Sequence, residues 1–209
     1  MTTPDRGNHY FESEPSVGSA RSTVDLTLPD WSFTLTTDKG VFARQAVDVG
    51  SKLLLLSGPD PISVDAEIVD IGAGYGPIAL TVAARNPQAR IWAVEVNARA
   101  RELCHLNAQN AGLDNVRVIS PEEFPAEVAI DRIWSNPPIR IGKAALHDLL
   151  LLWLNRLKPT GSAHLVVQKH LGSDSLARWL TGQGWATTRR RSQKAYRVLD
   201  VSARQQGSP

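Results

Sequence analysis

The chain has 209 residues, room for one domain of about 150 residues with an added segment. Its net charge of +2, with 42% hydrophobic and 21% charged residues, is that of a soluble globular protein able to bury roughly 70% of its unfolded surface. One cysteine, Cys104, excludes an internal disulfide framework and a cysteine-cluster metal site, and the six-residue apolar stretch Leu149–Leu154 falls far short of the roughly 20 residues of a membrane helix.

Residues 1–24 are polar and rich in Ser, Gly and Pro, which predicts a loosely ordered tail. They hold acidic side chains and no apolar run, so no secretory signal is read there and the cytoplasm is the expected compartment. Residues 25–203 read as a single domain. Its first part, residues 25–60, is an N-terminal extension with a short strand region and a helix over Asp48–Ser57. In the core, residues 61–203, β-branched runs predict strands at Glu67–Ile71, Arg90–Val96, Val116–Ile119, Ile130–Ser135 and His164–Gln168. Helical periodicity fills the gaps at Pro77–Arg85, Ala98–Ala111, Lys143–Leu157 and Ser175–Thr181. Asn97 is a good N-cap and Gly112 a good residue just past the C-terminus of the second of these, while Pro159 and Gly161 are read as ending the third. Trp185–Arg191 and Ala195–Val201 follow as two strands around a turn at Ser192–Lys194. Strands alternating with helices imply an α/β fold with a mostly parallel sheet covered on both faces, and the closing pair implies an antiparallel edge.

Charge is uneven along the chain. Residues 1–30 carry two basic and five acidic side chains, whereas residues 185–209 carry six basic ones against Asp200 alone. A basic end is suited both to a polyanionic partner and to an edge strand protected by charge, and charge alone does not separate the two.

Two segments carry chemistry. The first is Asp70-Ile71-Gly72-Ala73-Gly74-Tyr75-Gly76-Pro77, a strand end followed by a glycine turn and a helix. Such a turn lets the backbone approach a ligand closely and aims N–H groups at it. The dinucleotide fingerprint has Gly at the position of Pro77, and Asp70 is badly placed for a pyrophosphate but well placed for an amine or sulfonium. Glu95, at the end of the second strand, suits two ribose hydroxyls. Alone, Asp70 is also readable as a helix N-terminus partner and Glu95 as a solvated strand end. Together at this spacing they favour a nucleoside with a cationic arm and no phosphate, namely S-adenosylmethionine.

The second segment is Ser135-Asn136-Pro137-Pro138-Ile139. Two prolines cannot continue a central ladder, so the chain must leave the sheet with Asn136 in a defined, non-helical conformation. The Asn136 side-chain oxygen and the Pro137 carbonyl then form two rigid acceptors for an exocyclic NH₂ group. In isolation the same residues could be a strand terminator only.

These motifs resemble the class I, Rossmann-like methyltransferases that modify amino groups. More specifically, the run Phe33–Phe42, then Asp48-Val49-Gly50-Ser51-Lys52-Leu53-Leu54, Asp70–Pro77, Glu95-Val96-Asn97, Ser135–Lys143 and Val166-Val167-Gln168-Lys169 resemble the "methyltransferase small" family, over about Phe33 to Val201. The likeness is greatest to its branch that methylates guanine N2 of small-subunit ribosomal RNA.

The resemblance implies a seven-stranded sheet and an S-adenosylmethionine-dependent N-methyltransferase with no metal. It also implies an RNA partner, the small ribosomal subunit or its RNA, and action as a monomer. It places Asp70, Gly72, Ala73, Gly74 and Gly76 around the methionine portion of the methyl donor, Glu95 and Val96 at its ribose, Ser120 and Pro121 near its adenine, and Thr37 and Phe42 over it. Asn136, Pro137, Pro138 and Ile139 would hold the acceptor amine. Ile139 stands where the family usually has an aromatic, removing a stacking face worth roughly 1–3 kcal/mol. Arg140 and Lys143, just after the turn, are better phosphate candidates than Arg189–Arg191, and Lys169 divides evenly between binding and surface. Other acceptors of the same chemistry, a protein glutamine amide above all, stay open, as does a silent scaffold that only binds S-adenosylmethionine.

Overall fold

The structure, a computed structural model, describes residues 17–62 and 65–203. The expectation of a loosely ordered tail therefore lies, for residues 1–16, outside the described residues. Seven strands, β3 (Glu67–Ile71), β4 (Arg90–Val94), β5 (Val116–Ile119), β6 (Ile130–Ser135), β7 (Leu157–Gln168), β8 (Trp185–Gln193) and β9 (Tyr196–Ala203), form one sheet in the order β5-β4-β3-β6-β7-β9-β8. The first five are parallel, and β9 and β8 are antiparallel to their neighbours. This is the α/β architecture expected, with the strand order reversing beside β3, where open sheets of this kind bind ligands.

Alternation along β3 divides the core into two layers. Ile68 joins the cluster with Leu53 and Leu54 of α1 (Val49–Ser57), Ile78 and Leu80 of α2 (Pro77–Arg85) and Leu103 of α3 (Ala98–Asn110). Val69 and Ile71 face Leu146, Leu150 and Trp153 of α4 (Lys143–Leu154) and Leu176 and Leu180 of α5 (Ser173–Gly182). Among the described residues no helix is long and apolar enough to cross a membrane.

The N-terminal extension is more than a strand region. A hairpin of β1 (Ser22–Thr27) and β2 (Ser32–Thr37) makes its own two-stranded sheet, beginning inside the span read as tail. Asn107 of α3 fastens it. Its Oδ1 accepts from Thr36 N–H at 2.8 Å, and its Nδ2 donates to the carbonyls of Thr36 and Tyr75, each at 2.9 Å. One buried amide thus ties the hairpin to the glycine turn.

Several boundaries differ from the sequence reading, and three of the differences have a clear physical reason. β4 stops at Val94 because its partner β5 ends at Ile119, whose carbonyl already accepts from Glu95 N–H, leaving no ladder partner for Val96. α4 ends at Leu154, and Pro159 and Gly161 lie inside β7 instead of ending the helix. Proline is tolerated there because the β6–β7 register breaks between Ile130 and Arg132, leaving no ladder bond for it to make. The closing turn is Lys194–Ala195, with Lys194 at φ 51°. On the outer strand β8, Arg189 and Arg190 are ion-paired at 2.8 Å with Asp174 and Asp200, so two of the three consecutive arginines serve the fold's own edge.

Candidate functional site

A cleft of about 430 Å³ opens at the carboxyl ends of the parallel strands, a size ordinary for a small-molecule site. Its walls come from three strand ends: Gly72, Ala73 and Gly74 after β3, Glu95 and Val96 after β4, and Asn136 to Arg140 after β6. Phe42 and Pro121 also line it, as do residues the sequence reading did not single out for the site, among them Asp48, Ser51, Tyr75, Gln168 and Tyr196.

The glycine turn is shaped for close approach. Gly72 and Gly74 have φ +73° and +58°, a left-handed backbone that L side chains rarely adopt, and a Cβ on either would point into open space. The Gly74 N–H donates to Glu95 Oε2 at 2.8 Å, and the Asn97 N–H donates to Oε1 at 2.9 Å. Glu95 is only 8% exposed. Burial pushes its carboxyl above the usual range, while the N–H groups of Asn97 and Gly74 pull the other way. Each oxygen retains a further lone pair, so this fixed carboxylate can accept from two neighbouring hydroxyls.

Asp70 does not reach the cleft. It shares a β3 face with Ile68, so its side chain enters the layer beneath α2, where it is 1% exposed. Neither carboxyl oxygen has a hydrogen bond of regular geometry, and the N–H of Ala79 in the first turn of α2 is the one group favouring its charge. Burial, with Glu95 nearby as a like charge, pushes Asp70 up to about 8. It underlies the glycine turn and is not among the residues lining the cleft.

Thr37, Gly76, Ser120, Lys143 and Lys169 are likewise outside the cleft walls. Thr37, the last residue of β2, is fully buried. Gly76 packs against Leu80 and Cys104. Ser120 caps a 3₁₀ turn with Glu123, leaving Pro121 as the lining residue. Lys143 and Lys169 are exposed, at the start of α4 and just past β7.

The Asn-Pro-Pro turn is held from a distant part of the chain. Asn136 Nδ2 donates to Asp48 Oδ1 at 2.7 Å and to Ser51 Oγ at 3.0 Å. A carboxylate can only accept, so this pair decides which end of the amide faces Asp48. The Asn136 Oδ1 is left without a protein partner among the described residues and is open to the cleft. Asp48 is itself fixed as the N-cap of α1, its Oδ1 accepting from Ser51 N–H at 3.0 Å. The Pro137 carbonyl accepts the Ile139 N–H at 2.8 Å and keeps one lone pair. The turn therefore presents two acceptors fixed by the fold.

The segment between β2 and α1 covers the cleft. Asn97 Nδ2 and Arg99 hold the carbonyls of Gly40 and Lys39, and Ala43 takes a strained φ of 56° with its carbonyl accepting from the Tyr75 hydroxyl at 3.2 Å. Phe42 stays 48% exposed on the cleft wall. Ile139, in place of an aromatic, packs partly buried on the α4 layer.

The sequence profile of the Methyltransferase small domain matches residues 32–200. The chain belongs to this family. Over 170 residues it is 38% identical to "Uncharacterized protein YbxB" of Bacillus subtilis, covering 80% of this chain and 84% of that one. It is 30% identical over 175 residues to ribosomal RNA large subunit methyltransferase G of Shewanella amazonensis, and 29% identical over 161 residues to ribosomal RNA small subunit methyltransferase C of Shewanella pealeana. Those matches cover 79% and 75% of this chain but only 43% and 46% of the two relatives. Among solved structures, the 16S rRNA N2 G1207 methyltransferase of T. thermophilus, in complex with AdoMet and guanosine, superposes with a TM-score of 0.75 at 24% identity. It covers 91% of this chain and 52% of that one, and confirms the Rossmann-like methyltransferase fold.

Proposed function

We propose that this methyltransferase small domain protein transfers a methyl group from S-adenosylmethionine to an exocyclic amino group, guanine N2 of small-subunit ribosomal RNA. The observation that carries the reading is the Asn136 amide, turned by Asp48 so that its oxygen faces the cleft across from the Gly72–Gly74 turn and Glu95. Two rRNA methyltransferases among the relatives support an RNA acceptor. When bound, S-adenosylmethionine supplies a methyl group activated by its sulfonium.

The chain's own residues do the rest. The open backbone at Gly72 and Gly74 gives room for a flexible cationic arm, and Glu95 accepts from a ribose diol. Asn136 Oδ1 and the Pro137 carbonyl accept the two amine hydrogens, which favours a pyramidal nitrogen and turns its lone pair toward the methyl group. A C–N bond forms as the S–C bond breaks, and the nitrogen then releases a proton to solvent. No strong base is required, so positioning dominates, an effect worth up to about 7–11 kcal/mol for well-oriented reactants. Arg140 on the cleft wall and the exposed Lys143 and Lys169 outside it serve as phosphate contacts.

Asn136→Ala tests the assignment. Titration calorimetry with S-adenosylmethionine should give a Kd within about threefold of wild type, while methyl transfer falls at least a hundredfold. A variant that loses methyl-donor binding instead would move Asn136 out of the acceptor site.

A further inference from the structure

A second side-chain amide lines the cleft with Asn136. Gln168 closes β7, the strand adjacent to β6, and lines the same cleft. Its Nε2 donates to the Tyr196 hydroxyl at 2.8 Å. Tyr196 begins β9 directly opposite Gln168 in the antiparallel register. Its ring lies against the first turn of α1, where a Cβ on Gly50 would come within 2.7 Å of the ring edge and 2.9 Å of Asp48 Oδ1.

One helix turn thus steers both amides: Asn136 directly through Asp48 and Ser51, Gln168 through the Tyr196 ring seated on Gly50. Each amide turns its NH₂ inward. Gln168 Oε1, like Asn136 Oδ1, has no protein partner among the described residues and is open to solvent.

We infer that Gln168 is a specificity residue: its Oε1 accepts the ring N1–H of a guanine whose N2 amine sits on Asn136 and Pro137, with Tyr196 as the positioning residue whose hydroxyl holds the amide in place. The inference rests on the amine-acceptor reading given above. A row of acceptors matches an edge that carries only donors. Guanine offers such an edge in N1–H and N2–H₂ side by side. Adenine and cytosine each set an acceptor nitrogen next to the amine, which would face Gln168 Oε1 lone pair to lone pair. Sites built to receive a substrate N–H reject analogues lacking it strongly, because their own polar group is left unpaired.

The test uses 2-aminopurine, which has the amine of guanine but an unprotonated N1. Single-stranded RNA oligomers are prepared with guanine, 2-aminopurine or inosine at one central position and uridine elsewhere. Labelled methyl transfer is measured with wild type, Gln168→Ala and Tyr196→Phe. Wild type should label the guanine oligomer at least about tenfold faster than the 2-aminopurine oligomer, and inosine, lacking the amine, not at all. Gln168→Ala should bring that ratio near unity. Tyr196→Phe should also lower it, by freeing the amide to turn its NH₂ toward N1, with the KM for S-adenosylmethionine unchanged. Equal labelling of guanine and 2-aminopurine by wild type, or an unchanged ratio in both variants, overturns the inference about Gln168. Labelling of inosine, or of no oligomer at all, overturns instead the amine-acceptor reading on which it rests.

Discussion

Asp48 is 88 residues from Asn136 in sequence, and their 2.7 Å contact makes a sharp forecast. With the carboxylate present, a turned-over amide would set Asn136 Oδ1 against Asp48 Oδ1, so only one orientation is populated. In Asp48→Ala the remaining partner is the Ser51 hydroxyl, which can donate as readily as accept, so both orientations become available. That alone halves the competent population. The larger loss is the charge-assisted bond that fixes the amide in place, worth about 1.5–3 kcal/mol, or about 10- to 100-fold in kcat. The same substitution removes the N-cap of α1 and should cost about 1 kcal/mol of stability. Asp48→Asn separates the two effects, because asparagine caps as well as aspartate and can still accept from Asn136. Steady-state kinetics and thermal melts on both variants should show kcat falling from wild type to Asp48→Asn to Asp48→Ala. The KM for S-adenosylmethionine should hold, and the Tm should drop in the alanine variant only. A kcat that tracks the unfolded fraction alone, or a KM that rises while kcat stays level, would refute the argument.

Other outcomes follow from the same geometry. Asp70 ionises at 3.8 when free and at about 8 in the fold, so between those values the folded chain holds a proton the unfolded chain has lost, and stability declines as pH rises. Asp70→Asn removes that decline, and its Tm advantage over wild type should widen from pH 5 to pH 8; a constant difference would contradict the burial argument. Glu95→Gln keeps the shape but replaces one accepting oxygen with a donor, so the KM for S-adenosylmethionine should rise at least about tenfold with kcat little changed. Lys143→Glu and Lys169→Glu should each weaken RNA binding and reduce the slope of log K against log salt by about one, measured by fluorescence anisotropy between low and moderate salt. Unaltered slopes would return both lysines to the solvated surface.

The sheet was legible in the sequence because its punctuation is local: Gly72-Ala73-Gly74 and Asn136-Pro137-Pro138 each mark a strand end by backbone chemistry that no neighbour has to supply. Arg140 followed from the second of those ends and Glu95 from the end of β4, whereas Pro121 was implied only by the family resemblance. What sequence could not give was orientation across long separations. Nothing near Asn136 announces Asp48, and nothing near Gln168 announces a tyrosine on the last strand. Asp70 is a different case, since the parity it shares with Ile68 already pointed its side chain away from the strand ends and under α2. Pro159 misled because the register break that accommodates it is a property of the β6–β7 pair.

The central claim is that the amide corner at Asn136 receives a guanine amine. Labelled methyl from S-adenosylmethionine, offered side by side to small ribosomal subunits, naked ribosomal RNA and cytosolic protein, tests it most directly. The account predicts label in RNA that digests to N2-methylguanosine and is absent with Asn136→Ala. Label in protein, or in a nucleoside modified at any atom other than an exocyclic amine, would contradict it.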